Sequence, residues 1–336
     1  MIEIDTKYNW PKIGNEKAIA FLSSVLDNSS PASTYIFNGR GNLGKSTIAL
    51  AFARNLQNLE KVKVEEEENE TLNPDLHILE RGPEEKSISI EAVREFIKTL
   101  SLGSFLNSYK IGIIKEASYL SEEAKSALLK TLEEPRSKVI MILLVDDISD
   151  LPATIISRAQ VLYFEPVSSE IVYDYLIDNY GANRSQAKDL ANLCLGRPLE
   201  AIAYLENPEK YKNYLGKAEL WLDFCLAKNV NNRLEILDNL FKDKTWSKEA
   251  RDSAESLIFL GEGLARDLML LVLDQANLMQ HLALSDKLIT LKTNFNNSDE
   301  AIIQALNWLK LLAQAREYLE GSVNPRLVLE QVAINY

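Results

Sequence analysis

The apolar positions of this chain change their pattern near residue 166. Before that point, short and nearly continuous apolar runs alternate with segments whose apolar residues recur every three or four positions. Continuous runs are typical of strands that are buried on both faces, and the second spacing is typical of amphipathic helices. Strands and helices that alternate in this way predict a doubly wound α/β fold built on a parallel sheet.

The same pattern gives the bounds of these elements. The apolar runs predict strands at residues 35–38, 75–79, 110–114, 139–145 and 161–164. The helical spacing predicts helices at residues 14–27, 48–56, 90–102 and 121–132.

After residue 166 the pattern is helical throughout. We find no convincing strand from there to the C-terminus, and residues 183–186 have the form of a capping box that starts a helix. Long amphipathic stretches follow from about residue 208. The chain is therefore predicted to divide into an α/β domain at 1–166, a small helical domain at 167–207 and a larger helical domain at 208–336.

One segment has the spacing of a phosphate-binding loop. Residues 39–47 read GRGNLGKST, which fits the P-loop pattern G-x-x-x-x-G-K-[ST], and they lie between a predicted strand and a predicted helix. Lys45 would reach the β- and γ-phosphates of a nucleotide, and the Ser46 hydroxyl would help to hold magnesium. The N–H groups of the loop and the start of the helix favour an anion. The residues predicted to bind ATP or ADP are Gly39, Gly41, Gly44, Lys45, Ser46 and Thr47.

Composition excludes some classes of protein. With 336 residues the chain is long enough for two or three domains, and its 46% apolar residues are ordinary for a soluble protein. No apolar run has transmembrane length and the acidic N-terminus lacks the layout of a signal peptide, so we expect a cytoplasmic protein without a membrane partner. A net charge of −12 argues against a free-standing nucleic-acid binder, so a contact with DNA would need a local patch or a larger assembly.

Cysteines and histidines show no pattern of a metal or nucleophile site. Cys194 and Cys225 lie far apart, and His77 and His281 have no partner pattern. We therefore expect reduced, buried thiols, no metal site and no Cys/His nucleophile.

Three further segments resemble signatures of one protein family. Residues 124–135, AKSALLKTLEEP, resemble a signature of clamp-loader subunits among AAA+ proteins. Residues 151–158, LPATIISR, are similar to the segment that leads to the Ser-Arg-Cys motif of that family, and residues 73–77, NPDLH, resemble a stretch of bacterial delta prime subunits. The chain thus resembles delta prime-like clamp-loader subunits of bacterial DNA polymerase III over residues 1 to about 207. Beyond that point the resemblance rests on helical character and length.

This resemblance implies a fold, partners and a function. The fold is an α/β P-loop (AAA+) domain with a parallel sheet, followed by a small helical lid and an all-α C-terminal collar domain. The implied partners are gamma/tau and delta subunits in a heteropentamer, the sliding clamp, and primed DNA through the complex. The implied function is to help load the clamp onto primed DNA as part of the DNA polymerase III holoenzyme.

Arg158 is the residue that the resemblance marks for catalysis in trans. In clamp loaders the arginine of this motif reaches across the subunit interface to the γ-phosphate of the neighbour's ATP, a task that suits its planar and permanent charge. An arginine finger contributes about 10³–10⁵ in rate. Ser157 fits the motif, whereas Ala159 stands where the family has its cysteine. The alternative is an ion pair on the domain surface, which contributes about 0–1 kcal/mol.

The catalytic carboxylates of the family are incomplete here. Its Asp-Glu-Ala-Asp is replaced by KEAS at residues 115–118, and Lys115 cannot ligate a cation and would repel magnesium. Glu116 keeps the water-activating position without the neighbour that holds the metal. We therefore predict no metal ligands and magnesium-independent binding of nucleotide.

Two sensor positions also depart from the family. Asp146 and Asp147 stand where a neutral polar residue is usual, and a pair between Lys115 and either carboxylate is an alternative use for them. Leu199 aligns with the second sensor arginine, and Arg197 is displaced to a surface or capping position, with a nucleotide contact as its alternative. The chain is predicted to hydrolyse nucleotide poorly or not at all, without a complete active site of its own.

Residues 60–70 form an acidic run in the region where delta prime and gamma subunits commonly carry four cysteines. No cysteine stands there, so we predict no zinc. The run is expected to be a solvated loop, with a partner-binding acidic segment as the alternative.

Two other functions stay open at this point. One is an active motor ATPase of gamma/tau type that hydrolyses ATP through Lys45, Ser46 and Glu116. Lys115 argues against it, because it replaces the carboxylate that would hold magnesium. The other is an AAA+ protein of another DNA pathway, such as recombination or branch migration.

Overall fold

The computed structural model describes residues 7–57, 73–82, 85–102, 109–242, 247–321 and 323–336. The chain forms two compact units, one of Met1–Tyr175 with Gly196–Leu199 and one of Leu176–Leu195 with Glu200–Tyr336. The predicted acidic loop at 60–70 lies outside the described residues. The predicted domain boundaries at 166 and 207 stay predictions.

A five-stranded parallel sheet forms the centre of the first unit. Its strands are β1 (Thr34–Asn38), β2 (Leu76–Leu79), β3 (Lys110–Ile114), β4 (Val139–Val145) and β5 (Gln160–Tyr163). They lie side by side in the order β2-β3-β4-β1-β5. All five predicted strands are present, with ends that differ by no more than one residue.

Helices cover both faces of this sheet. They are α1 (Glu16–Asp27), α2 (Lys45–Leu56), α3 (Ile90–Leu100), α4 (Glu122–Glu133) and α5 (Ala153–Ile156). Side chains of β1 alternate between the faces, so that Tyr35 and Phe37 pack in the core with α1 and α2. Ile36 packs in the opposite core with α3 and α4. This arrangement confirms the predicted α/β fold.

The chain after Ser169 is helical. Its helices are α6 (Ser169–Tyr180), α7 (Arg184–Leu193), α8 (Pro198–Glu206), α9 (Pro208–Leu226), α10 (Val230–Leu240), α11 (Lys248–Val272), α12 (Ser285–Thr293), α13 (Ser298–Glu320) and α14 (Pro325–Asn335). The described residues after Tyr163 include no strand, as predicted. The Asn183 side chain accepts a hydrogen bond from the Gln186 N–H at 2.9 Å and caps α7, which confirms that helix start. Within the described ranges, no helix is both long and apolar enough to cross a bilayer.

The core of the second unit includes aromatic rings and a chain of buried polar side chains. Trp221 lies 6.2 Å from Trp308 between ring centroids, and Tyr336 lies 5.8 Å from Trp308. Asp267 and His281 are buried, with 2.7 Å between Asp267 Oδ2 and His281 Nδ1. The other ring nitrogen of His281 lies 2.8 Å from the Tyr214 hydroxyl. His281, which shows no partner pattern in the sequence, therefore has two partners in the fold.

Candidate nucleotide site and interface arginine

The glycine loop, residues 39–47, lies between β1 and α2 in the predicted order of strand, loop and helix. Its first residue is fixed to the end of β4, because the Gly39 N–H donates to the Val145 carbonyl at 3.1 Å. Asn42 and Gly44 both have left-handed backbone, with φ of 65° and 91°. Gly44 directly precedes the first residue of α2. A residue with a side chain would be strained in the left-handed backbone of Gly44. Left-handed residues in a loop of this kind curl the chain and turn its N–H groups toward one side.

Neighbouring segments donate hydrogen bonds to two carbonyl groups of this loop. The Asn15 amide donates to the Leu43 carbonyl at 3.3 Å. The Leu199 N–H donates to the Asn42 carbonyl at 3.2 Å, and the Leu199 side chain packs on the α1 and α2 side of the sheet. The position aligned with the second sensor arginine therefore brings an apolar side chain to the loop. Arg197 is half-buried in the turn before α8.

Lys45 has a full set of partners around its ammonium group. Its side chain is only 8% exposed. Nζ donates to the Gly39 carbonyl, to the Arg40 carbonyl at 3.3 Å and to the Val145 carbonyl at 2.8 Å. The fourth partner is charged, since Nζ lies 2.7 Å from Asp146 Oδ1. Ser46 and Thr47 follow it in the first turn of α2, both half-buried, and Gly41 is exposed at the tip of the loop.

The proposed pairs of Lys115 with Asp146 or Asp147 are wrong. Lys115 Nζ lies 3.2 Å from Glu80 Oε2, because β3 ends next to β2. Asp146 instead meets Lys45. Asp147 accepts the Ser149 N–H at 2.8 Å, and this bond lowers the pKa of its carboxyl.

Glu116 also has a cationic partner. Its Oε1 lies 3.3 Å from Nη2 of Arg81, and the Arg81 guanidinium stacks on the Tyr119 ring at 4.2 Å from the centroid. The carboxylate that the sequence predicts to activate water is therefore engaged in an ion pair.

These residues fit a phosphate group better than a magnesium ion. The curled backbone, the start of α2 and the Lys45 ammonium provide donors and positive charge for phosphate oxygens. Magnesium prefers oxygen ligands, yet the residue that follows β3 is Lys115, which pairs with Glu80, and the Asp146 carboxylate is engaged by Lys45. In the described part of the chain no three His, Cys, Asp or Glu side chains are grouped so that they could hold a metal ion.

Arg158 is the last residue of one sequence signature and contacts a residue of another. Its Nη2 is 2.9 Å from Oε1 of Glu133, the last residue of α4, and its Nη1 donates to the Thr154 carbonyl at 2.9 Å. The ion pair offered as the alternative role is thus present. The Arg158 side chain is nevertheless 36% exposed, which leaves part of the guanidinium open to another molecule.

Sequence reasoning missed the partners of the charged residues. No motif indicated that Lys45 pairs with Asp146 or that Lys115 pairs with Glu80. The pairs of Glu116 with Arg81 and of Arg158 with Glu133 were likewise not indicated. Of these partners, only Asp146 could have been found from the sequence, because it follows a buried strand whose end lies beside the P-loop strand.

The thiols agree with the structural interpretation of the cysteines. Neither Cys194 nor Cys225 forms a disulfide, and Cys194 is buried whereas Cys225 is half-buried. Burial raises the pKa of the Cys225 thiol to about 12. A thiol that stays protonated is a poor nucleophile and a poor metal ligand.

The matches to known proteins that follow are all to DNA polymerase III subunits. Residues 14–168 match the family model described as DNA polymerase III, delta subunit. The chain is 34% identical over 146 residues to DNA polymerase III subunit delta' of Haemophilus influenzae, which covers 43% of this chain and 44% of that protein. It is 29% identical over 204 residues to subunit delta' of Bacillus subtilis, covering 57% and 60%. It is 26% identical over 273 residues to subunit tau of Bacillus subtilis, covering 74% and 48%. The chain thus spans about half the length of the curated relatives it matches.

Proposed function

We propose that this chain, whose residues 14–168 match the family model described as DNA polymerase III, delta subunit, is a delta prime-like AAA+ subunit of a clamp loader. In this role it associates with gamma/tau and delta subunits in a five-membered ring. It helps to open the sliding clamp and to load it onto primed DNA.

The replacement of the catalytic carboxylates carries the finer part of the proposal. Lys115 stands where magnesium needs a ligand, and Glu116 is engaged by Arg81. Leu199 provides no positive charge to a γ-phosphate. We infer that the glycine loop binds ATP or ADP without magnesium and that the chain hydrolyses nucleotide poorly or not at all.

Arg158 is proposed to act on a neighbouring subunit's ATP. Its charge is permanent, its guanidinium is partly exposed, and Glu133 holds it at the end of α4. A neighbour's γ-phosphate would take the place of solvent around the exposed part of the group. The support for this proposal is the exposed position of Arg158 and the permanent charge of its guanidinium group.

Reconstitution with purified subunits tests the assembly directly. The full chain is mixed with gamma/tau and delta subunits of the same organism, and the mixture is separated by size-exclusion chromatography. We expect one complex that contains all three proteins. If the folded chain elutes alone in the presence of both partners, the clamp-loader assignment is wrong.

An active motor subunit is the second candidate, because the match to subunit tau covers the larger share of this chain, 74%. Hydrolysis by the isolated chain separates the two. We expect no turnover by the wild-type chain. Turnover that Lys45→Ala abolishes would favour the motor, and a gain of turnover in Lys115→Asp would identify the missing carboxylate as the cause of inactivity.

A further inference from the structure

The buried ammonium of Lys45 already has a negatively charged partner. Three of its bonds go to carbonyl oxygens of the glycine loop and of β4, which are neutral. The fourth, at 2.7 Å, goes to Oδ1 of Asp146 at the end of β4. In a P-loop this ammonium is the group that contacts the β- and γ-phosphates. The Asp146 carboxylate therefore contacts Nζ of Lys45, the same atom that would contact a terminal phosphate.

We propose that Asp146 is a built-in substitute for the terminal phosphate, and that its contact with Lys45 biases this pocket against nucleoside triphosphates. The inference rests on the proposed nucleotide site at the glycine loop. A nucleotide that binds must either displace the Asp146 carboxylate or place its own negative charge beside it. Both routes weaken binding, since charges of like sign repel at short range.

The exposure of the two side chains shows why this contact tunes binding and does not block it. Lys45 is 8% exposed, whereas Asp146 is 66% exposed. Asp146 can therefore turn into solvent and remain hydrated while Lys45 stays in place. Because the Lys45–Asp146 pair is open to solvent on one side, its loss should increase the affinity for nucleotide by only a modest factor.

The effect should depend on the number of phosphates. ATP adds its γ-phosphate charge near the tip of Lys45, where Asp146 sits, whereas the charge of ADP ends at the β-phosphate. Removal of the Asp146 charge should therefore help a triphosphate more than a diphosphate.

The chain offers a matched control at the next residue. Asp147 carries the same charge and follows the same strand, but its carboxylate accepts hydrogen bonds from the N–H and hydroxyl of Ser149, both at 2.8 Å. Asp147→Asn therefore makes the same change of net charge without touching Lys45.

The test is a fluorescence titration of the full chain with a labelled non-hydrolysable ATP analogue and with labelled ADP, in the absence of magnesium. For Asp146→Asn we expect about tenfold tighter binding of the triphosphate and about twofold tighter binding of ADP. For Asp147→Asn we expect the wild-type affinities. The double variant Lys45→Ala/Asp146→Asn should lose the gain, because the two side chains act as one pair.

Several results would overturn the proposal. One is equal triphosphate affinity of wild type and Asp146→Asn, and another is an equal gain in Asp147→Asn. Equal gains for ATP and ADP would remove the link to the terminal phosphate. Absence of nucleotide binding by every variant, with circular dichroism showing that each is folded, also contradicts it. The clamp-loader assignment fails separately, by the loss of complex formation with gamma/tau and delta.

Discussion

His77 shows how burial of one residue sets a pH dependence. It lies in β2, and its Nε2 is buried without a hydrogen-bond partner among the described residues. Burial, together with the nearby Lys110, lowers the pKa of His77. The folded chain therefore binds a proton at this site less readily than the unfolded chain does, and stability is lost as the pH falls below about 6.5.

We predict that His77→Gln reduces the acid sensitivity of the fold. Urea unfolding of both proteins at pH 7.5 and pH 5 measures the free energy of unfolding. The wild type should lose more stability between these pH values than the variant, because only the wild type has a half-buried imidazole whose pKa is lower in the folded chain than in the unfolded chain. Parallel losses in the two proteins would show that His77 does not contribute.

The charged residues around the glycine loop show where prediction from sequence reached its limit. The motifs identified Lys45, Glu116 and Arg158 as chemically relevant. The motifs did not identify their partners, because an ion pair forms between whichever charges the strands and helices bring together. Lys45 and Asp146, for example, are 101 residues apart in the chain. Their contact depends on the pairing of β1 with β4, which a local pattern does not report.

At the scale of the element, the close packing of α3 against β3 depends on one missing side chain. A Cβ atom at Gly112 would lie 2.6 Å from Leu100 Cδ1 and 2.7 Å from Phe96 Cζ. Both contacts are shorter than normal van der Waals separation, so these side chains or the helix that carries them would have to move. Gly112 thus allows α3 to pack closely on β3.

Gly112→Ala should destabilise the first unit by about 1–3 kcal/mol, the usual cost of an overpacked core. Gly41→Ala is the control, because a Cβ atom there meets nothing within 4 Å. Chemical denaturation followed by circular dichroism compares the two variants. If Gly112→Ala is as stable as the control, α3 adapts to the added methyl group and the packing is looser than described.

The turn after α11 depends on one buried carboxylate. Asp267 accepts the backbone N–H groups of Gln280 and His281, each at 2.7 Å, in addition to the ring of His281. Asp267→Asn replaces one acceptor oxygen with an NH₂ group that faces existing donors. We expect a loss of about 2–4 kcal/mol, as for other broken buried networks.

Tyr214→Phe is the matched control for this network. It removes only the hydroxyl at the far side of His281 and should cost about 0.5–1.5 kcal/mol. Urea unfolding followed by tryptophan fluorescence reports on this unit, since Trp221 and Trp308 belong to its core. Equal losses in the two variants would mean that Asp267 does not hold the turn.

Elements of the first unit were the easier part to predict. Residues 139–145 are apolar throughout, so β4 was predicted with its observed bounds. The short helix α5 was not predicted, because four residues are too few to show a helical period.

At the scale of the whole molecule, the glycine loop and Arg158 both belong to the first unit. The order of motifs was enough to predict the fold of that unit and the family whose model residues 14–168 match. The second unit was predicted only as helical, because amphipathic helices can pack in many arrangements with the same pattern. Its buried Asp267 and His281 follow from that packing and left no signal in the sequence.

The central claim is that this chain contributes to ATP hydrolysis through Arg158 and not through its own glycine loop. The measurement is single-turnover ATP hydrolysis by the complex reconstituted with gamma/tau and delta, using the wild-type chain, Arg158→Ala, Arg158→Lys and Lys45→Ala. Each complex is first checked by size-exclusion chromatography. We predict that Arg158→Ala slows hydrolysis at the facing site by about 10³-fold or more and that Arg158→Lys restores little of it. Lys45→Ala should leave the rate unchanged. Loss of hydrolysis in Lys45→Ala with a normal rate in Arg158→Ala would contradict the account.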